Sequence, residues 1–330
     1  MFLSDFLVTL PGRYLVESLW HSLTAVLVVE GALRAWGFCQ PVVQQRFRTL
    51  VILLPVVAFP AYQLLDPTRG TMSSRLHGLL NTDRWLYLEP VAGLPGYTFL
   101  FLLMAFTVAI FFVQELVPIV RNLRGSAARR YRHHATAEDE LNGIALPAIP
   151  GTKPRIVRLD IHEPLIFSTT GGGATIYVSR EAQAALTHDE LEAELAHELA
   201  HIRRSRSSTL VLLFLLRMIM FFNPVTLIAF RKIVHAEEDI CDDLAVSWTR
   251  KPQALAAALQ RLSEDQGVPD GFHVDKLSDL RSALEEHSHR LHIAARIQRL
   301  GDAHCDREAG WQWVLAIAAL VIIVINYYVI

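Results

Sequence analysis

Two histidines four residues apart could bind one metal ion. They lie in the segment His197-Glu-Leu-Ala-His201, and on a helix residues i and i+4 share a face, so both imidazoles can reach the same ion. A zinc ion lowers the pKa of a bound water to about 7, and Glu198 could take the proton and return it to a leaving amine. The pattern predicts a zinc-dependent hydrolase. The alternative is a surface helix with two incidental histidines.

A catalytic zinc site also needs a third protein ligand and an open position. The acidic segment 237–243 (EEDICDD) offers the ligand, and we expect it to be Glu238. Asp242 lies four residues further on, so it shares the helix face and could accept a hydrogen bond from a ligand imidazole. Cys241 is expected to pack as a small apolar residue. The rival ligands are Glu237 and His235, and the alternative for the whole segment is a solvated acidic helix face.

The oxyanion of a tetrahedral transition state needs a hydrogen-bond donor besides the metal. The segment HSHRLHIAARIQRL offers Arg296 as a candidate catalytic residue. The further candidates are His287, His289 and His292. Each of these residues could instead lie at the surface or serve packing.

The elements that must position these residues predict an α+β domain over residues 121–310. Thr187-His-Asp-Glu190 has the form of a capping box, which opens the helix that carries the two histidines. Strands are predicted at Arg155–Ile161 and Thr175–Ser179, with a turn over 168–173. Segment 123–151 has the composition of a basic linker, and later helices are expected over 252–266 and 276–300.

The rest of the chain is apolar enough for a membrane. The 330 residues are 52% hydrophobic with mean hydropathy +0.29, and their 19% charged content is below the ~25% of soluble domains. Spans need about 20 apolar residues. Four are predicted, at Leu15–Trp36, Leu50–Leu65, Tyr97–Val120 and Trp311–Ile330. The first three form a membrane domain over residues 1–120, and the last is a C-terminal span at 311–330.

Basic residues near the span ends set the orientation. Arg34, Arg46 and Arg48 lie between the first two spans, and a run of arginines over 121–132 follows the third. Both loops are therefore expected in the cytoplasm. We expect a multi-pass protein of the cell inner (cytoplasmic) membrane with its protease domain in the cytoplasm. The net charge of −2 argues against direct nucleic-acid binding.

The apolar segment Thr209–Phe230 lies between the two parts of the metal site. Its 22 residues could cross the bilayer once, but one crossing would put the histidines and Glu238 on opposite sides. Asn223-Pro224 is a turn signal. We therefore expect a re-entrant or interfacial hairpin at 209–230, which returns the chain to the cytoplasmic face.

Three segments together carry a resemblance to a known family. Leu191–Arg204 (LEAELAHELAHIRR), the later Asn223-Pro224 and the acidic EEDICDD resemble the BlaR/MecR-type membrane-embedded zinc metallopeptidases, which are gluzincins. The resemblance implies zinc ligands at His197, His201 and Glu238 and a base at Glu198. It implies a cytoplasmic protease domain between the third and last spans. It also implies an edge strand near 163–179 that pairs with the substrate backbone. Arg296-Ile297 resembles a pair near the end of the catalytic domain in related families.

One departure from that family concerns sensing. Members that sense beta-lactams carry a C-terminal penicillin-binding sensor domain after the last span, whereas this sequence ends at Ile330. Antibiotic sensing by that route is therefore not expected, while proteolysis is.

The expected fold is a membrane α-helical bundle plus an α+β gluzincin-type metalloprotease domain, with four transmembrane helices and one hairpin. The expected function is a Zn2+-dependent endopeptidase that cleaves a repressor, an anti-sigma factor or a membrane protein at the cytoplasmic membrane face, in signalling or regulation. The alternatives are a non-catalytic membrane signalling or scaffold protein and an HtpX-like quality-control protease. Seven charges around the histidine motif disfavour a site-2-type intramembrane protease. The expected partners are a protein substrate and membrane lipid, and a homodimer stays open.

Overall fold

The structure is a computed structural model that describes most of the chain. It covers residues 5–7, 9–68, 86–91, 93–113, 135–138, 154–169, 173–205, 209–264, 291–302 and 310–329. The chain divides into two compact units. The first comprises Met1–Arg121, Ser208–Glu237 and Cys305–Ile330, and the second comprises Asn122–Ser207 and Glu238–His304.

The described part of the chain forms helices and strands with the following bounds. The helices are α1 (Leu10–Trp36), α2 (Pro41–Leu65), α3 (Gly96–Phe111), α4 (Arg180–Ala185), α5 (His188–Ser205), α6 (Thr209–Ile219), α7 (Pro224–Thr249), α8 (Pro252–Glu264), α9 (291–301) and α10 (Trp311–Tyr327). The strands are β1 (Ala135–Glu138), β2 (Arg155–Leu159), β3 (Ile166–Thr169) and β4 (Thr175–Ser179). The division between the two units falls inside α7, after Glu237.

Among the described residues, two helices of the first unit are long and apolar enough to cross a membrane. These are α1 and α2, while α3, α6 and α10 are shorter apolar helices. The predicted third span extends to Val120, beyond the described residues, and α10 ends at Tyr327. The expectation of a loop holding Arg46 and Arg48 was wrong, because α2 begins at Pro41 and includes both. Proline is favoured in the first turn of a helix, where its missing N–H costs nothing.

The polar residues of α1 lie inside the first unit. Glu17 and His21 are buried within it, where α1 packs against α2 and α10. Further along α1, the Glu30 carboxylate accepts hydrogen bonds from Arg48 of α2 at 3.3 Å and from Lys232 of α7 at 2.8 Å. Acids that would be costly in lipid are thus turned towards other helices.

A tight turn joins α6 to α7 at the predicted position. The chain turns over 220–223, and the Asn223 Oδ1 accepts a hydrogen bond from the Val225 N–H at 2.9 Å, which caps α7. The Asn223 amide also donates to the Ser22 hydroxyl of α1 at 2.9 Å. The predicted turn at Asn223-Pro224 is confirmed, and α7 continues well beyond Phe230, as far as Thr249.

The second unit contains a four-stranded sheet with the order β1-β2-β4-β3. β2 and β4 are parallel, and the other two pairs are antiparallel. The bounds of β4 agree with the predicted strand, and β2 ends two residues earlier than predicted. The linker prediction for 123–151 was wrong at 135–138, because β1 pairs there with β2. The strand pattern did not predict β3, whose four residues give too short a pattern and whose last two lie in the predicted turn over 168–173. β3 does lie within the edge strand near 163–179 that the family resemblance implied.

α5 is buried on two sides, which fixes its position in the second unit. Its first turn has the predicted capping box: the Thr187 N–H donates to the Glu190 carboxylate at 2.8 Å, and the Glu190 N–H donates to the Thr187 hydroxyl. One side packs on the sheet through Ile176, Val178, Leu191, Leu195 and Ile202. The other side packs on α7, α8 and α9 through Ala193, Ala196, Ala245, Leu255, Leu259 and Ile293.

Candidate metal centre

Two imidazoles of α5 turn the same ring nitrogen towards each other. His197 and His201 lie one helical turn apart, and their Nε2 atoms are 3.0 Å apart. The ring planes are nearly perpendicular, at 86°. The side chain of His197 is 4% exposed and that of His201 is 30% exposed. The i, i+4 spacing has therefore brought two imidazole nitrogens to one point, as the sequence predicted.

Glu238 of α7 supplies carboxylate oxygens at that same point. Its Oε2 lies 3.6 Å from the His197 Nε2, and its Oε1 lies 3.6 Å from the His201 Nε2. Ligands at about 2.0–2.1 Å in tetrahedral geometry around zinc are about 3.3 Å from one another. The observed separations of 3.0 and 3.6 Å bracket this value. The donor set and its spacing fit a zinc ion.

The other nitrogen of His197 faces a buried carboxylate. Its Nδ1 lies 2.9 Å from the Oδ1 of Asp242, which is fully buried one turn after Glu238. Arg296 of α9 donates hydrogen bonds to both oxygens of Asp242, from its Nε to Oδ2 at 2.9 Å and from its Nη2 to Oδ1 at 2.7 Å. The chain of contacts from Arg296 to Asp242 to His197 fixes the orientation of that imidazole.

The other nitrogen of His201 faces a cysteine. Its Nδ1 lies 3.5 Å from the Sγ of Cys241, which is fully buried. Sequence reasoning assigned Cys241 a packing role only and so missed this contact. The signal that could have found it is position: Cys241 lies three residues after Glu238 and next to Asp242, on the same turn of α7.

Charges around the cluster compensate for burial. Burial lowers the pKa of His197, but hydrogen bonds to Asp242 and Glu238 outweigh it and raise the pKa to about 10. Burial raises the pKa of Glu238, yet the two imidazoles hold it below its usual range. Burial also raises the pKa of Asp242, which Arg296 and His197 hold below the usual range. The two carboxylates therefore stay ionised and can offset the charge of a bound cation.

Glu198 lies on α5 between the two histidines. The residue is largely buried, with 9% of its surface exposed. On a helix it follows His197 by about 100°, which places it beside the imidazole pair rather than opposite to it.

Arg296 and the alternative ligand residues lie outside the group formed by His197, His201 and Glu238. The Arg296 guanidinium is engaged by Asp242, and its Nη1 also lies 3.4 Å from the Glu238 Oε2. Glu237 accepts a hydrogen bond from the Gln45 amide of α2 at 2.6 Å. Among the described residues, neither His235 nor His292 joins the three-ligand cluster. His287 and His289 lie outside the described residues.

A second acidic group lies at the start of α5. His188, Asp189 and Glu192 come close enough to hold an ion, but they are largely at the surface. The Lys251 ammonium already contacts the Asp189 carboxylate at 2.7 Å and the Glu192 carboxylate at 2.6 Å. A lysine that bridges two carboxylates explains this group as an ion-pair network.

One comparison with known proteins identifies a family. Residues 97–268, just over half of the chain, match the family described as BlaR1 peptidase M56. The matched part contains both histidines, Glu198, Glu238 and Asp242, whereas Arg296 lies beyond it. No curated protein matches the chain, and no solved structure matches it. The extent of the match shows that the chain belongs to the BlaR1 peptidase family M56.

Proposed function

We propose that the chain is a membrane-embedded zinc endopeptidase that cleaves a protein substrate at the cytoplasmic membrane face. The observation that carries this proposal is the convergence of two Nε2 atoms and the Glu238 carboxylate at 3.0–3.6 Å, with Glu198 next to them on α5. These three side chains would hold the ion and leave one position open, which is typical of catalytic rather than structural zinc.

Each residue of the cluster has a separate role in this proposal. His197, His201 and Glu238 hold the ion, which when bound supplies Lewis-acid activation of water and of the scissile carbonyl. Glu198 accepts the proton of the attacking water and passes it to the leaving amine. Asp242 holds the Nδ1 proton of His197 and so keeps Nε2 free to bind the metal. Arg296 holds Asp242 in that orientation.

The sheet supports an extended peptide as substrate. β3 lies at the end of the strand order, and among the described strands it pairs only with β4. It also packs against α5, the helix of the two histidines. A substrate segment could add, through main-chain hydrogen bonds, to the edge of β3 that no described strand occupies. This mode favours a flexible segment of a repressor, an anti-sigma factor or a membrane protein over a fully folded one.

The membrane part of the proposal rests on the first unit. α1 and α2 are long and apolar enough to span a bilayer. The hairpin of α6 and α7 exposes a group of large apolar side chains that lipid could cover. These are Val211, Leu212, Leu215, Ile219, Ile228 and Val234. We place this hairpin in the cytoplasmic leaflet, in keeping with the sequence prediction.

The experiment compares wild type, Glu198→Gln and Glu238→Ala as full-length proteins in detergent. Zinc per chain and cleavage of fluorescein-labelled casein are measured. We expect about one zinc in wild type and Glu198→Gln, loss of zinc in Glu238→Ala, and cleavage in wild type alone. Cleavage by Glu198→Gln at the wild-type rate contradicts the role of Glu198. Zinc without cleavage in wild type favours a non-catalytic signalling or scaffold protein.

A further inference from the structure

The two histidines of the cluster need partners on their outer nitrogens. A neutral imidazole that binds a metal through Nε2 carries its proton on Nδ1, and that proton needs an acceptor to fix the ring. His197 has a strong acceptor in the Asp242 carboxylate at 2.9 Å. His201, whose side chain is more exposed, needs an acceptor of its own.

The acceptor that contacts this nitrogen from α7 is the sulfur of Cys241. Its Sγ lies 3.5 Å from the His201 Nδ1, which is within hydrogen-bonding distance for sulfur. The Cys241 side chain is fully buried, so its position does not depend on solvent. A thiol sulfur is a weak acceptor, and it can accept the Nδ1 proton while the S–H points elsewhere.

We propose that Cys241 is the positioning residue of His201: its Sγ accepts a hydrogen bond from Nδ1–H and keeps Nε2 aimed at the metal position. This inference rests on the zinc site proposed above. One turn of α7 then supplies a metal ligand, Glu238, and the outer partners of both histidines, Cys241 and Asp242. His197 is held by a carboxylate and His201 by a thiol.

A neutral acceptor suits this position because the surroundings already hold carboxylates. Glu238 lies 3.6 Å from the His201 Nε2, and Asp242 is fully buried next to Cys241. Arg296 is hydrogen-bonded to Asp242 and lies near Glu238, so its positive charge already compensates two carboxylates. Another buried carboxylate at position 241 would need a further counter-charge. The thiol orients the imidazole without adding charge.

The geometry separates this role from two others. Cys241 lies on the Nδ1 side of His201, whereas the metal position lies on the Nε2 side, so the sulfur is not placed as a metal ligand. A pure packing role would be shared by its neighbour Ile240, which is 3% exposed on the same helix. Ile240→Val therefore serves as the matched control for lost packing.

The test measures zinc affinity of the full-length protein in detergent by competition with a chelator. Outer partners of metal-bound histidines typically change affinity by about 10- to 100-fold. For the weak sulfur acceptor we expect Cys241→Ala to bind zinc about 10-fold more weakly. Cys241→Ser keeps an acceptor and should recover part of that loss. Ile240→Val should bind zinc as wild type does, although its melting temperature falls.

The outcomes separate this inference from the metal site itself. Wild-type affinity in Cys241→Ala, together with loss of zinc in Glu238→Ala, overturns the role of Cys241 and leaves the site intact. Zinc retained in Glu238→Ala overturns the site. The Co2+-substituted protein gives a second measurement. A thiolate-to-cobalt charge-transfer band that disappears in Cys241→Ser would make Cys241 a ligand and overturn the positioning role.

Discussion

Replacing Arg296 with alanine should weaken the metal site through Asp242. In the structure the guanidinium donates one hydrogen bond to each oxygen of the fully buried Asp242 carboxylate, at 2.9 and 2.7 Å. Removing one partner of a buried ion pair costs about 3–5 kcal/mol, because the other charge stays buried without compensation. The Arg299 Nη2 remains 3.5 Å from Asp242, so we expect the lower end, about 3 kcal/mol.

The loss of Arg296 should lower zinc affinity by changing the orientation of His197. Without Arg296, Asp242 is free to turn away from the Nδ1 that it contacts at 2.9 Å, and the imidazole loses its fixed orientation. Zinc affinity should then fall by about 10- to 100-fold, as for other outer partners of metal-bound histidines. Arg296→Lys keeps the charge but loses the bidentate hydrogen bonding, so its zinc affinity should lie between those of wild type and Arg296→Ala.

The assay combines thermal unfolding, zinc competition and casein cleavage for Arg296→Ala, Asp242→Asn and the double variant. If both residues act in one chain of contacts, the double variant should bind zinc no more weakly than the worse single variant. Arg261→Ala is the control, since its exposed contacts to Glu190 and the Ala185 carbonyl involve no residue of the cluster and should contribute at most about 1 kcal/mol.

A direct oxyanion role for Arg296 predicts a different result. In that case kcat falls by about 10²–10³-fold while zinc affinity and stability stay at the wild-type level. That combination would refute a role for Arg296 that acts through Asp242 and His197.

Three further changes probe the surroundings of the site. Burial raises the pKa of Glu194, so folding favours its neutral form and the stability of the protein should fall as pH rises above ~4.3. Glu194→Gln should reduce this fall in melting temperature between about pH 5 and 8. Identical pH profiles for the variant and wild type would contradict this expectation. Gln45→Ala removes the 2.6 Å bond to the Glu237 carboxylate and should cost about 1.5–3 kcal/mol in thermal unfolding, so an unchanged melting temperature argues against this link. Asn223→Ala removes the cap of α7 and should cost about 0.5–2 kcal/mol, whereas full stability would mean that the cap contributes nothing.

The residues that could be predicted from sequence are those that helix geometry brings together. His197 and His201 are one turn apart, and so are Glu238 and Asp242, so each pair shares a face wherever its helix lies. The turn at Asn223 was predictable for a similar reason, because an Asn-Pro pair ends one element and caps the next.

The missed features depend on tertiary packing. Arg296 meets Asp242 only because α9 packs on α7, and nothing local to either segment encodes that distance. β1 and β3 have four residues each, which is too short for their own periodicity to predict them. Only the family resemblance implied a strand in the region of β3. The contact of Cys241 with His201 was missed because cysteine usually packs as a small apolar residue.

One helix carries most of what the proposed site requires. Within α7, Glu238 and Asp242 are separated by about 6 Å along the axis, at a rise of about 1.5 Å per residue. The metal carboxylate, the thiol of Cys241 and the carboxylate of Asp242 therefore move as one body. A rotation of α7 that withdrew Glu238 would also release both imidazoles from their outer partners. The site should consequently lose its metal affinity in one step, rather than ligand by ligand.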